Sequence, residues 1–367
     1  MKDLDTIVPL VKVAMPAREK LMPALEKVLY GGFIAEGEPV YEFERQFAAK
    51  FELGEILATS SGTGALHIAL LLAGAGHEKE VISTSMTAEP TNTAILQTGA
   101  IPVFADVDPD TGNLDPASVK RAINDKTAAI VVVHYAGYPA DMKQLRELAD
   151  ASGIQLVEDC AHALGARYAD QPIGTWGDSA IFSFQAIKHM TTIDGGALVL
   201  HDKSQMERAR RLRWFGLSKG VARTEVNITE GGYKYNMNNV AATIGLMQLS
   251  NLDEMIQSHK QNGQFFDSAF EPVAGIKPAK ILAGTEPSYW IYTLLTDCSK
   301  DVIRCLNDNG VAASKLHRPN HLHSVFACPK TSLGGVEQFY DKLVHIPCGW
   351  WVDAVARDKI AELLKKG

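Results

Sequence analysis

Short apolar segments alternate with helical segments between residues 80 and 160, and this alternation constrains the fold more than any other feature of the sequence. The apolar segments, rich in β-branched residues, are typical of buried strands: EVISTS, IPVFADV, TAAIVVVHY and IQLVEDC. The segments between them, TNTAILQTGA, PASVKRAIN and DMKQLRELADASG, have the spacing of helices. Apolar strands joined by helices indicate a mostly parallel sheet covered on both faces. We therefore predict an α/β fold.

The length of the chain predicts a second domain, because 367 residues exceed the size at which a single core stops growing. After residue 250 the sequence offers two strand-like segments, SYWIYTLLTD and VAASKL, and two helical ones, KDVIRCLNDNG and the end of the chain. We predict a large domain over residues 1–250 and a smaller α+β domain over residues 251–367. The N-terminal segment is expected to be able to pack on the small domain.

Charge and cysteine usage exclude several classes of protein. A net charge of -7 gives no long-range attraction to nucleic acid or to anionic membranes, so we expect neither as a partner. The five cysteines are widely spaced and form no CxxC pair, which argues against a disulfide framework and a zinc site. The first residues lack a signal-peptide core, and no apolar run approaches 18 residues. We expect a cytoplasmic protein.

A histidine cluster in HRPNHLHSVF raises the question of a metal. His317, His321 and His323 have no carboxylate or cysteine at ligand spacing around them. Loop histidines of this kind more often hydrogen-bond to a substrate or to the backbone. We expect no metal site.

The segment SAIFSFQAIKHMTTIDGGALVLH, residues 179–201, holds a lysine between two apolar, strand-like runs. Burial at such a position lowers the pKa of a lysine toward the range where its neutral amine attacks a carbonyl. Lys188 is therefore a candidate Schiff-base lysine. The alternative is a lysine on a surface turn, whose ammonium stays in water.

A strand, a turn of small residues and a helix follow one another in EILATSSGTGALHIALLLAG. The helix start offers unpaired N–H groups, Ser61 and Thr63 add hydroxyls, and Gly62 lets the backbone approach a phosphate. A plain helix cap is the competing interpretation. No GxGxxG or GxxxxGK[ST] motif occurs at a strand-to-helix turn, so a phosphate bound here belongs to neither a dinucleotide fingerprint nor a Walker loop.

A carboxylate follows the strand-like run IQLV and is expected at the tip of a central strand. Asp159 would need a cationic or protonated partner there. The protonated ring nitrogen of pyridoxal phosphate (PLP) is one such partner, because it makes the ring an electron sink. A helix cap or a structural ion pair would also account for Asp159.

Taken together, these motifs resemble the sugar aminotransferases of the DegT/DnrJ/StrS family, which are fold-type-I PLP enzymes acting on nucleotide-linked keto sugars. The resemblance runs nearly end to end through eight blocks in the family's order: GGFIAEGEPVYEFERQFA, SSGTGALHIAL, TNTAILQTGAIPVFADVD, VHYAGYPADM, VEDCAHALGARY, SFQAIKHMTTIDGGALV, GYKYNMNNVAATIGLMQL and SYWIYTLL. It implies an aspartate-aminotransferase-like fold with a mixed, mostly parallel sheet of about seven strands.

The resemblance also implies roles for individual residues. Lys188 matches the lysine that bonds to the cofactor and later moves the proton, and Asp159 matches the partner of the ring nitrogen. The cofactor contacts implied in addition are Ser61, Gly62 and Thr63 at the phosphate, Ser183 at the phosphate, and His162 at the ring oxygen, where the family usually has glutamine. Asn236 falls in a loop that reaches the neighbouring subunit's phosphate, which implies a homodimer with shared active sites.

At one position the chain departs from the family. Ala88 occupies the place of the aromatic ring that usually stacks on the cofactor, and Met86 is a candidate for the missing contact. Candidate substrate contacts lie on the loop before the last helices and in one basic segment: Lys315, His317, Arg318, Asn320, His321 and Trp214.

The favoured function is a PLP-dependent transfer of an amino group from an amino acid, by resemblance L-glutamate, to a nucleotide-linked 3- or 4-keto deoxysugar, with pyridoxamine phosphate (PMP) as the intermediate form of the cofactor. Two alternatives stay open. A nucleotide-sugar 3-dehydratase of the same fold has histidine at the position of the lysine, and here His189 follows Lys188 directly. A PLP-binding regulator without turnover would share the same fold.

Overall fold

The computed structural model of the chain describes residues 7–326 and 332–366, and Cys328 lies outside them. The helices are α1 Arg18–Tyr30, α2 Glu38–Lys50, α3 Gly62–Leu72, α4 Glu89–Gln97, α5 Pro116–Ala122, α6 Met142–Ser152, α7 Met206–Arg213, α8 Asn239–Leu249, α9 Leu252–Phe270, α10 Ser299–Asp308, α11 Gly334–Lys342 and α12 Ala354–Lys366. The strands are β1 Glu55–Thr59, β2 Glu80–Thr84, β3 Ile101–Ala105, β4 Thr127–Val133, β5 Gln155–Asp159, β6 Arg167–Tyr168, β7 Gln171–Pro172, β8 Ser179–Ser183, β9 Gly196–Leu200, β10 Lys277–Pro278, β11 Thr285–Glu286, β12 Tyr292–Leu295 and β13 Leu343–Ile346.

A seven-stranded sheet forms the centre of the molecule, in the order β1-β9-β8-β5-β4-β2-β3. Five adjacent strands of this sheet are parallel to one another: β8, β5, β4, β2 and β3. Strand β9 runs antiparallel to both β8 and β1. The predicted α/β class with a mixed, mostly parallel sheet of about seven strands is confirmed. Because β5 lies in the middle and ends at Asp159, this carboxylate stands at the edge where ligands bind in such sheets.

Both faces of this sheet are buried, which explains why its strands read as continuous apolar runs. On one face Val131 and Val157 pack in a cluster with α3, α4 and α7. On the other face Ile130 and Leu156 pack in a second cluster with α2, α5, α6 and α8. The sheet is therefore a rigid base for the groups at its carboxyl edge.

The C-terminal part is built around a three-stranded antiparallel sheet in the order β10-β12-β13, with its own apolar cluster. Val8, Leu10 and Val11 pack against this cluster. The predicted strand VAASKL is wrong, because its backbone pairs only through isolated bridges, Val8 with Val311 and Ser314 with His345. The division near residue 250 stays our proposal, since α8 ends at Leu249 and α9 begins at Leu252.

Every helix in residues 7–326 and 332–366 is too short or too polar to cross a bilayer.

Candidate active site

A cavity of about 420 Å³ opens at the carboxyl edge of the large sheet, beyond β5 and β8. Most of the residues predicted from the sequence as cofactor contacts line it. They come from the start of α3, the ends of β5 and β8, and the loops that follow: Ser61, Gly62, Thr63, Asp159, His162, Ser183 and Lys188. His317, which the sequence offered as a substrate contact, lines the cavity as well. The fold thus brings residues separated by more than 250 positions in sequence into one site.

Lys188 lies in the loop between β8 and β9, which closes tightly on the end of β8. The backbone N–H of Thr192 donates to the carbonyl of Phe184 at 3.0 Å, and the Thr191 hydroxyl donates to the same oxygen at 3.1 Å. The lysine side chain is partly exposed toward the cavity, and protein surrounds the rest of it. Burial lowers the pKa of Lys188 to about 8, while the negative charge of Asp159 works in the opposite direction. A substantial share of neutral amine is therefore present near pH 8.

Asp159 is the last residue of β5, and its side chain is 5% exposed. Oδ1 accepts the Ala161 backbone N–H at 3.1 Å, and Oδ2 accepts the Thr91 hydroxyl at 2.8 Å. Burial raises the pKa of Asp159, although these two hydrogen bonds and the charge of Lys188 oppose the rise. Two hydrogen-bond donors do not fully compensate for the burial of the carboxylate, and a cationic or N–H⁺ partner in the cavity would stabilise its charge.

The start of α3 has the features of an anion site. Ser61 caps this helix by accepting the Gly64 N–H at 3.0 Å, so the plain cap interpretation is also correct for its side chain. A side chain at Gly62 would bring its Cβ within 2.9 Å of Ser183 Cβ, so glycine is needed for the close approach of α3 to β8. The hydroxyl-bearing residues Thr63 and Ser183 line the cavity beside this helix start.

Two histidines that line the cavity carry a ring nitrogen without a hydrogen-bond partner among the described residues. His162 Nδ1 and His317 Nε2 are buried, and nothing in residues 7–326 and 332–366 hydrogen-bonds to them. The two rings are parallel, with centroids 5.9 Å apart. Burial, with the nearby charge of Lys188, lowers the pKa of His317 to about 4 and that of His162 well below its ordinary value. Both rings are therefore neutral at pH 7 and able to hydrogen-bond to a ligand in the cavity.

These observations test whether the site fits PLP. The phosphate needs a helix N-terminus and hydroxyls, the ring nitrogen a carboxylate, the ring oxygen a polar partner and the aldehyde an amine. The cavity wall supplies each of these groups, and the unpartnered Nδ1 of His162 is the kind of atom that a bound ring would satisfy. The residues present therefore fit the cofactor.

Trp290 belongs to the site but was missed from the sequence. Its ring centroid lies 4.1 Å from Lys188 Nζ, and the ring of His162 stacks on it with centroids 4.1 Å apart. Its indole N–H donates to the carbonyl of Ile187 at 2.8 Å. In the strand-like segment SYWIYTLL an indole looks like an ordinary core residue, so sequence reasoning had no signal for this role.

Most of the predicted substrate contacts do not line the cavity, and several of their side chains have other partners, so their contact with a substrate stays a prediction. Lys315 Nζ donates to the carbonyls of Tyr340 and Asp341 at the end of α11. Asn320 is fully buried, where its amide donates to the Thr87 carbonyl at 2.8 Å. His321, Arg318 and Trp214 also lie outside the cavity: His321 pairs with the Ser85 hydroxyl, Arg318 is exposed, and Trp214 packs under Lys234.

The structure also shows what surrounds Ala88, at the position where the family usually has an aromatic ring. Ala88 lines the cavity, as its place in the sequence predicted. Met86 is fully buried in the apolar cluster of the C-terminal part and does not reach the cavity, so the suggestion that it supplies a face contact is wrong. The chain bends at residues 85–87, after β2, and Met86 packs into the protein there while Ala88 lines the cavity.

Asn236 and His189 lie near the cavity without lining it. Asn236 is 8% exposed and accepts a hydrogen bond from Lys234 Nζ at 2.6 Å. His189 is buried, where its Nε2 lies 3.1 Å from the carbonyl of Ser288 and its ring contacts that of His259. His189 therefore lies outside the cavity that Lys188 lines.

Comparison with known proteins gives consistent results. A model of the DegT/DnrJ/EryC1/StrS aminotransferase family matches residues 16–365. The spore coat polysaccharide biosynthesis protein SpsC of Bacillus subtilis (strain 168) is 31% identical over 348 residues, which cover 90% of this chain and 89% of SpsC.

Solved structures are similar over almost the whole chain. The sugar aminotransferase CalS13 from Micromonospora echinospora has a TM-score of 0.95 and 35% identity, covering 98% of this chain and 100% of CalS13. Spr1654 from Streptococcus pneumoniae, solved in a PLP form, has a TM-score of 0.89 and 26% identity, covering 98% of each chain. Spr1654 has also been solved in a PMP form.

Proposed function

Because this chain belongs to the DegT/DnrJ/EryC1/StrS aminotransferase family, we propose that it is a PLP-dependent sugar aminotransferase that moves an amino group from L-glutamate to a nucleotide-linked 3- or 4-keto deoxysugar. The observation that carries the proposal is the meeting of Lys188, Asp159 and the start of α3 in one cavity. Over the two half-reactions, the amino acid becomes a 2-oxo acid and the keto sugar becomes an amino sugar. The cytoplasm is the proposed location, since the described cysteines are free thiols.

The residues of the cavity would divide the work as follows. The cofactor supplies an electron sink for the carbon that loses or gains a proton. Lys188 would anchor it through its amine and, once free, move the proton on Nζ. Asp159 would hold a proton on the ring nitrogen, and the start of α3 with Ser183 would hold the phosphate. His162 Nδ1 would hydrogen-bond to the ring oxygen.

The surroundings of His189 favour amination over dehydration. A dehydratase of this fold would need histidine in place of the lysine, whereas His189 is hydrogen-bonded to the backbone of Ser288 and outside the cavity. Lys188 reaches the cavity instead. The lowered pKa of Lys188 favours proton transfer by this lysine. A regulator without turnover would not need that chemistry, so the pKa supports an enzyme over a regulator.

We propose that the active unit is a homodimer. Tyr30, Phe33 and Ile34 near the N-terminus are 85%, 63% and 53% exposed, and Ile193 next to the Lys188 loop is 54% exposed. Ile34 and Ile193 line one apolar groove beside the cavity. An exposed apolar area of this kind is typical of a surface that a partner covers. In the dimer, Asn236 of one subunit would complete the phosphate site of the other.

Spectroscopy of the purified protein tests the proposed function. Addition of PLP should produce a visible absorption band, and L-glutamate should bleach it with release of one 2-oxoglutarate per site. A nucleotide-linked keto sugar should then restore the band, and L-glutamate with no sugar is the control. A band that glutamate and other amino acids leave unchanged would support the regulator and contradict the proposed transfer.

A further inference from the structure

We propose that Trp290 is a positioning residue for Lys188, whose indole face holds the free amine of the lysine in the cavity and favours its protonated form. The inference rests on the proposed function, in which Lys188 carries the cofactor. It concerns the part of the cycle in which the lysine is not bonded to the cofactor and must stay close enough to move a proton.

The amine of Lys188 lies against the face of the Trp290 ring. Lys188 Nζ lies 4.1 Å from the centroid of the Trp290 ring, within the distance at which an ammonium is attracted to the face of an indole. Such an attraction acts on the ammonium and not on the neutral amine, so it raises the pKa of a lysine. Burial acts in the opposite direction on Lys188.

The indole is fixed, so it can serve as a support. Trp290 is 2% exposed, and its N–H donates to the carbonyl of Ile187, the residue before Lys188. The ring of His162 stacks on it at an angle of 17°. One side chain thus contacts the lysine, its loop and the histidine assigned to the ring oxygen.

Residues 288–290 make a second hydrogen bond to the loop that carries Lys188. The carbonyl of Ser288 lies 3.1 Å from Nε2 of His189, the residue after Lys188. The N–H of Ser288 donates to the carbonyl of Gly137 at 2.9 Å. Both neighbours of Lys188 are therefore held by residues 288–290, which lead into β12 of the C-terminal part. This arrangement gives the lysine little freedom to leave the indole.

The experiment measures how readily the Lys188 amine reacts at each pH. Apoprotein is mixed with PLP, the amine condenses with the aldehyde and releases one water, and borohydride fixes the adduct for mass spectrometry. The initial rate should rise with pH with a midpoint near the pKa of about 8, because the neutral amine is the nucleophile.

Two substitutions separate the indole face from the indole N–H. Trp290→Phe keeps an aromatic face and loses the hydrogen bond to Ile187, and it should keep the midpoint within about 0.3 pH unit of wild type. Trp290→Leu keeps the apolar bulk without the face, and its midpoint should fall by about half to one pH unit. Trp351→Leu is the matched control, because Trp351 also donates to a backbone carbonyl, that of Pro9.

A Trp290→Leu midpoint equal to or above that of wild type would overturn the inference, as would equal shifts in Trp290→Phe and Trp290→Leu. If Trp290→Leu does not fold, the fluorescence of wild-type apoprotein decides. A neighbouring ammonium quenches an indole, so the difference between wild type and Lys188→Met should titrate near pH 8, and a flat difference would contradict the contact. Failure of wild type to form any adduct would instead refute the proposed function.

Discussion

Glu158 and Asp159 are neighbours on β5, yet their carboxylates are supplied with donors very differently. Glu158 Oε1 accepts two backbone N–H groups at 2.7 Å, from Trp176 and Gly177. Its Oε2 accepts the Gly174 N–H at 3.0 Å and lies 3.2 Å from His134 Nε2. Within residues 7–326 and 332–366 Asp159 accepts from two donors, and its side chain points to the opposite face of the strand, at the cavity.

The pKa values of the two carboxyls are shifted in opposite directions. Burial alone would raise the pKa of both carboxyls. For Glu158 the hydrogen bond and charge of His134, with the N–H groups of Gly177 and Gly174, outweigh burial and lower the pKa. For Asp159 burial prevails, and the pKa is raised. A fully satisfied carboxylate is part of the scaffold, whereas one left short of donors is prepared for a cationic ligand.

The largest expected effect is on catalysis at Asp159. Asp159→Asn should slow the half-reaction with L-glutamate by roughly a thousandfold, because the ring nitrogen loses its charged partner. Thermal stability should stay equal or rise, since a group whose pKa is raised by folding lowers stability once it is ionised. Stopped-flow absorbance and thermal unfolding measure the two quantities. A rate within threefold of wild type would contradict the role.

Glu158→Gln should show the reverse pattern. Loss of the buried charge from a site built to hold it should cost about 3–5 kcal/mol in the free energy of unfolding. Because folding lowers the pKa of Glu158, its ionised carboxylate stabilises the folded protein fully at pH 7. This stabilisation shrinks as the pH falls through the range in which glutamate titrates. The half-reaction rate of the folded protein should change little. Urea unfolding of wild type and Glu158→Gln at pH 7 and pH 4 tests this, and a stability difference that does not change with pH would contradict the stabilising role of the ionised Glu158.

A smaller effect is expected at Thr91, whose hydroxyl donates to Asp159. Thr91→Val removes a hydrogen bond that lowers the pKa of Asp159, so the half-reaction should slow by about tenfold. The acid limb of its pH profile should move to higher pH, because the ionised carboxylate is needed. Thr91→Ser keeps a hydroxyl and should stay near wild type. Identical pH profiles for the Val and Ser variants would show that the contact does not tune Asp159.

The smallest effect is expected at Lys315. Lys315→Met should leave KM for the keto sugar within about twofold, because the ammonium contacts carbonyls at the end of α11 and not the cavity. Stability should fall by about 0.5–1 kcal/mol. A large rise in KM would support the prediction that Lys315 contacts the substrate.

The central site was predictable because its residues mark the ends of strongly patterned elements. Asp159 follows an apolar strand and Gly62 opens a helix, so the sheet order alone brings them to one edge. Lys188 could be identified because a lysine between two buried strands conflicts with its surroundings. A local rule broken at such a position is a reason to propose a function for the residue.

The remaining residues were not predictable, because their partners depend on tertiary packing. Lys315 and Asn320 are polar loop residues, and only the position of α11 and of Thr87 decides that they bond to backbone carbonyls. Trp290 has the composition of a core residue, and its contact with Lys188 depends on how the C-terminal part packs on the large sheet. Periodicity contains no information about such contacts.

The most direct test of the account is the position of the covalently bound cofactor. Protein loaded with PLP is treated with borohydride, digested and mapped by mass spectrometry. We expect one modified peptide, with the adduct on Lys188, and no visible band and no adduct in Lys188→Ala. An adduct on another lysine, or an unchanged band in Lys188→Ala, would contradict the assignment of this lysine and with it the proposed active site.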